Sequence, residues 1–167
     1  FKKELAKEVN DLSMYLGQTR NDEKIPLVKM FYQTLQSNNV NLKEISKKNK
    51  DYFVVSGCRP QSCSEKSLLW IDKTNKIVIG AMVHYFLDSK ASSKDETYLL
   101  IFSKKIDLVE DLPKQFKDDL KFWISQRTEY DFNDGKIKAL KPTIINFINS
   151  KNQRSDIKGK LDIISTQ

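Results

Sequence analysis

Around Asp51 the spacing of apolar residues changes, and this change narrows most what the chain can fold into. Before it, Phe1, Leu5, Val9, Leu12 and Leu16 recur every three or four positions, which predicts a helix with one apolar face, stopped by Gly17. A second helix is expected to begin at Pro26, a residue suited to a first turn. Its buried stripe is Leu27, Met30, Phe31 and Leu35, and Ser37-Asn38-Asn39 ends it. Leu42 and Ile45 then anchor a short basic turn of helix or a loop. After Asp51 the apolar residues come in short aromatic and β-branched runs at 52–55, 68–71, 76–86 and 97–102, the signature of strands. Polar stretches at 57–63, 72–75 and 88–94 separate them, so four consecutive strands are expected to form an antiparallel meander.

Helical spacing returns at Pro113, with Phe116, Leu120, Trp123 and Ile124 on one face and Gln126 near the end. Residues 130–135 read as a turn-rich connection, and 142–148 as a short apolar helix. For the polar stretch 150–167 a tail, an added strand and disorder all stay open. The architecture expected is α+β. Residues 1–127 make the main domain, and 128–167 form a C-terminal extension.

With 167 residues, 39% of them hydrophobic, the chain can bury the core of one ordinary domain. A formal charge of +7 raises a nucleic-acid reading. Lysines are nevertheless interleaved with acids, as in Lys2-Lys3-Glu4 and Lys117-Asp118-Asp119. The densest cluster, Lys47-Lys48-Asn49-Lys50, precedes only the aromatic pair Tyr52 and Phe53, and no nucleic-acid motif accompanies it. Nucleic acid is therefore disfavoured as a partner. No run of eighteen apolar residues offers a membrane span.

Nothing in the sequence points to catalysis. The single histidine, His84, lies in an apolar strand run, and Asp131 and Asp134 flank a turn whose chemistry accounts for them. There is no nucleophile elbow, phosphate loop or metal-ligand cluster. No catalytic residue, metal or cofactor is expected.

The specific content lies in Cys58 and Cys63, with four residues between them. Two thiolates and one histidine fall short of the four ligands of a structural zinc site. A thioredoxin-like pair has two intervening residues and opens a helix, whereas this pair lies between two strands. A disulfide closing a small loop with Pro60 inside it is the favoured reading. Closing so small a ring constrains the unfolded chain by only about 2 kcal/mol. Its value would lie in fixing the loop before binding, which lowers the ordering cost on association. A disulfide also implies an oxidising compartment, periplasmic or extracellular, where an exported chain would already have lost its signal peptide. Two free thiols in a reducing compartment are the alternative.

The stretch Asp51-Tyr52-Phe53-Val54-Val55-Ser56-Gly57-Cys58-Arg59-Pro60-Gln61-Ser62-Cys63, followed by Leu68-Leu69-Trp70-Ile71-Asp72, resembles the signature of the Ivy family, inhibitors of vertebrate lysozyme. In that family a Tyr-led strand enters a Cys-Lys-Pro-His-Asp-Cys loop and a Trp-bearing strand follows. Leu112-Pro113 and the helix carrying Trp123 resemble its closing helix, so the likeness spans residues 45–126. The resemblance implies an antiparallel sheet with helices packed on one face, and an exposed loop that enters the cleft of a peptidoglycan-cleaving enzyme. By position, Cys58 and Cys63 are the staple, and Arg59 and Pro60 match the family's Lys and Pro. Gln61 stands in place of the His, and Ser62 in place of the Asp. A muramidase cleft pairs a glutamic acid of raised pKa with an ionised aspartate. Gln61 can donate there from its amide without carrying charge, and Arg59 can reach a carboxylate with two hydrogen bonds. The expected partner is thus a lysozyme or another wall hydrolase such as a lytic transglycosylase, the latter better suited to a chain of charge +7. The resemblance is also compatible with a homodimer. Two other readings stand beside this one, an Ivy-like periplasmic interaction domain with a different partner and a basic module that binds nucleic acid or another anionic polymer.

Overall fold

The computed structural model describes residues 13–15, 24–35, 41–47, 50–59, 62–85, 97–126, 129–130, 137–138, 142 and 144–158. In chain order, β1 (Ser13–Tyr15) and β2 (Lys24–Pro26) pair as a small antiparallel ribbon, and α1 (Leu27–Leu35) follows directly. Next come β3 (Asn41–Lys47), β4 (Lys50–Arg59), β5 (Ser62–Asp72), β6 (Ile77–Tyr85) and β7 (Thr97–Phe102). A 3-10 turn (Val109–Asp111) leads into α2 (Lys114–Ser125), then a two-residue ribbon of β8 (Glu129–Tyr130) and β9 (Ile137–Lys138). The described chain ends with β10 (Ile144–Ile148) and β11 (Arg154–Lys158).

One seven-stranded sheet dominates, in the order β11-β10-β7-β6-β5-β4-β3. From β3 to β7 it is an antiparallel meander. The exception to antiparallel pairing is β10, which lies parallel to β7 with Ile144 opposite Tyr98 and Ile148 opposite Phe102. A parallel neighbour cannot be reached by a tight turn, so the chain between β7 and β10 must cross over the sheet. α2 is part of that crossover.

Alternation along the strands sorts the core into two layers. Val54, Leu68, Trp70, Ile79, Ala81, Val83, Leu99 and Ile101 face α2, whose Phe116, Leu120, Trp123 and Ile124 pack onto them. Val55, Leu69, Met82, Leu100 and Phe102 face the other way and meet Leu27 and Phe31 of α1. The helices therefore cover opposite faces, where one shared face was expected. The cause is visible in the strands. The central ones are apolar on both sides, and each side needs its own cover. Three aromatic contacts anchor the layers. Trp70 lies 5.5 Å from Tyr52 and 6.0 Å from Phe116, and Phe31 meets Phe102 edge-on at 5.2 Å.

Several local expectations are corrected. Leu42 and Ile45 lie in strand β3, paired with β4, and not in a helical turn or loop. Residues 144–148 are a strand and not a helix. A short apolar run reads the same in either period, and three isoleucines favour the extended form. β10 and β11 complete the main sheet, so the stretch after Arg127 is partly built into it. Ser13–Tyr15 is a strand inside the first expected helix, whose other positions lie outside the described residues. The reversal at 88–94 also lies outside them.

Gly80 sits opposite Phe102 on β7, and the Phe102 ring lies where a Gly80 side chain would be. Phe31 holds that ring, so it has nowhere to turn. Gly80→Ala is expected to destabilise the fold by about 1–3 kcal/mol through overpacking. Urea unfolding of the variant tests this, and wild-type stability would show that the ring yields.

Candidate functional site at the tip of the β4–β5 hairpin

β4 and β5 pair in a single register from Tyr52 opposite Asp72 to Cys58 opposite Lys66. The register then shifts, and Arg59 pairs with Ser62. The stretch expected as a loop from Gly57 to Cys63 is therefore mostly hairpin, and only Pro60 and Gln61 connect the strands. On β5, residues 63–65 stand between the two pairings, with nothing on β4 to match them. Such a bulge bends and twists the strand, so the tip is re-aimed relative to the sheet.

The structure places the backbones of Cys58, Arg59, Ser62 and Cys63 at one end of one hairpin. Cys58 is buried, and no cysteine among the described residues is free. The backbones of Arg59, Ser62 and Cys63 are placed in the strands, and their side chains lie outside the described ones. Pro60 and Gln61 lie outside the described residues altogether.

Behind the tip is a residue the sequence reading missed. Lys66 is 2% exposed. Its Nζ donates to the carbonyl of Trp123 at 2.7 Å and to that of Gln126 at 3.4 Å, and it lies 4.7 Å from the centre of the Trp123 ring. Those carbonyls lie at the C-terminal end of α2, where the helix dipole is negative, and the Trp123 carbonyl also accepts from the Gln126 N–H at 3.3 Å. The ring face adds a cation–π attraction. Burial still disfavours the charged form and lowers the Lys66 pKa to about 8. Strand alternation carried a signal, since Lys66 shares a face with Leu68 and Trp70. Its neighbours Ser64, Glu65 and Ser67 made the stretch look exposed.

Beyond Lys66, α2 and the sheet enclose a cleft of about 260 Å³ lined by Val54, Ser56, Leu68, Asp119, Phe122 and Gln126, with Trp123 alongside. Phe122 is 64% exposed there. Asp119 accepts a hydrogen bond from the Trp70 indole at 3.2 Å. Tyr52, buried nearby, has its pKa raised by burial and then by the Asp119 charge. At the far end of the hairpin Lys73 pairs with Asp51 at 3.2 Å and covers the Phe53 ring at 4.1 Å, an exposed arrangement that adds little stability. Among the described residues, no three His, Cys, Asp or Glu side chains stand close enough to hold a metal, and no helix is long and apolar enough to cross a membrane. His84 lies on β6 opposite Tyr98, its side chain outside the described ones. Comparison with protein families, curated proteins and solved structures finds no match to this chain.

Lys66 gives stability a definite pH dependence. Unfolding returns its pKa from about 8 to 10.5, so between those values the unfolded chain binds the extra proton. Below pH 8 both states are charged and the burial penalty is complete. Stability should then rise with pH across that window, by at most about 1.4 kcal/mol per unit. The unfolding free energy of wild type minus that of Lys66→Met, followed by urea titration from pH 7 to 10, should be flat at first and then climb. A difference that never climbs would show that burial does not hold the pKa down.

Proposed function

We propose that this protein inhibits a peptidoglycan-cleaving enzyme by inserting the tip of its β4–β5 hairpin, closed by a Cys58–Cys63 disulfide, into the target's cleft. The observation that carries the reading is the shifted hairpin register, with Arg59 against Ser62 beyond Cys58. It favours a narrow projection whose base is set by Arg59 and Ser62. The likeness of this stretch to the Ivy signature supports the same reading, and so does the Trp-bearing strand that follows it. Support comes from the hairpin and not from the helices, which lie on opposite faces.

In this reading Arg59 supplies the charge, engaging a cleft carboxylate with two parallel hydrogen bonds. Gln61 donates its amide hydrogens to the second carboxylate, and Pro60 limits the freedom of the turn. The disulfide removes conformations of the tip before binding and places the protein in a periplasmic or extracellular setting. The protein makes the contacts of a substrate without offering a bond to cleave, so no catalytic group of its own is needed. A formal charge of +7 favours an anionic polymer as the second reading, which would show steep salt dependence and no dependence on the tip.

Inhibition of a basic animal lysozyme and of a bacterial lytic transglycosylase, measured side by side, tests the proposal. The oxidised protein is expected to inhibit at least one, with the transglycosylase preferred on charge. The Arg59→Ala/Gln61→Ala variant should lose about 100-fold or more in affinity, as for paired charged contacts at an interface centre. Reduction of the disulfide should weaken binding by roughly tenfold through the restored ordering cost. No inhibition of either enzyme would end this reading.

A further inference from the structure

Lys66 occupies an unusual place in this fold. It faces the same layer as Leu68 and Trp70, yet it brings a primary amine into that layer with no carboxylate among its hydrogen-bond partners. The described charged groups nearest in the chain or on the packed helix are Glu65, Asp118, Asp119 and Lys121. Burial is the cause of the lowered Lys66 pKa. Placing an amine here costs free energy that an apolar side chain of similar length would not. A group kept at such a cost has its meaning in what it holds together.

Lys66 joins two parts of the fold. It is the residue opposite Cys58 at the last regular pair of the hairpin, immediately before the bulge that re-aims the tip. Its Nζ is fastened to the final carbonyls of α2, 57 and 60 residues along the chain. We propose that Lys66 is the positioning residue of the hairpin tip, its amine pinning the root of the bulge to the C-terminal end of α2. The inference rests on the tip being the binding element. A bulge alone would leave the tip free to swing about its root, because residues 63–65 have no ladder partners on β4. The pin sets one direction for the strand ends at Arg59 and Ser62, and a rigid inhibitor needs that direction fixed before it meets its target.

Two measurements on the full chain test this. In the wild type, competitive amine labelling should modify Lys66 far more slowly than the exposed Lys73 and Lys151. Labelling at the surface rate would overturn the pin, and this arm needs no variant that must fold. In the second, amide exchange is followed residue by residue in wild type, Lys66→Met and Lys66→Arg. In Lys66→Met the amides of 57–59, 62–65 and 123–126 should exchange roughly tenfold faster or more while those of β6 and β7 hold. Lys66→Arg should recover part of the protection. Unchanged exchange at the tip would overturn the proposal. So would equal loss across the whole sheet, which would make Lys66 a general stability residue. Inhibition assays run beside these keep the two readings apart. If wild type inhibits no wall hydrolase, the functional reading falls and the exchange data still decide the pin. If wild type inhibits and Lys66→Met inhibits equally well, the positioning role is overturned.

Discussion

The fold depends on a sheet whose central strands are apolar on both faces. β5, β6 and β7 alternate between two apolar sets, with Leu68, Trp70, Ile79 and Leu99 on one side and Leu69, Met82, Leu100 and Phe102 on the other. Neither set can be left in water, since burying each such side chain is worth about 1.5–3 kcal/mol. A layer is required on each face. α1 provides one, entering straight from β2, and α2 provides the other from within the crossover that brings β10 beside β7. The single parallel pairing is thus coupled to the second layer.

That coupling explains where the sequence was legible. Helix α2 was readable from Pro113 to Gln126 because one apolar face in an otherwise polar segment has a clear period. β7 was readable to its ends, since Thr97–Phe102 is a compact run between polar stretches. The course of the chain after α2 was not. Thr143 to Ile148 carries too few residues to declare a period, and its strand identity comes from β7, a partner more than forty residues earlier. The relative placement of the helices was equally hidden. Each helix announces an apolar face, but only the register of the sheet decides which layer receives it.

At the candidate site the balance is similar. The two cysteines and Pro60 marked the tip in the sequence, and the structure places Cys58, Arg59, Ser62 and Cys63 at one hairpin end. What the sequence could not give is the bulge, because a register shift depends on how two strands count against each other and leaves no compositional mark. Lys66 was hidden for a related reason. A lysine is assigned to the surface by type, and only the helix end packed above it makes burial tolerable. The pair Thr34 and Ser67 repeats this on the opposite face, where two hydroxyls buried between α1 and β5 satisfy each other at 2.6 Å.

The margins of the sheet carry a further consequence. Its outermost strands are β3, with Lys43, Glu44 and Lys47 in its sequence, and β11, where exposed Arg154 and Asp156 form an ion pair at 2.7 Å. An incoming strand would have to strip water from the Arg154–Asp156 pair before it could join the β11 margin. An endless ribbon of copies needs both margins, so charge at the β11 margin is enough to discourage it. The β4–β5 hairpin, flanked by β3 and β6, already has its backbone ladders taken up within the sheet, so it can project without offering a strand edge to another copy.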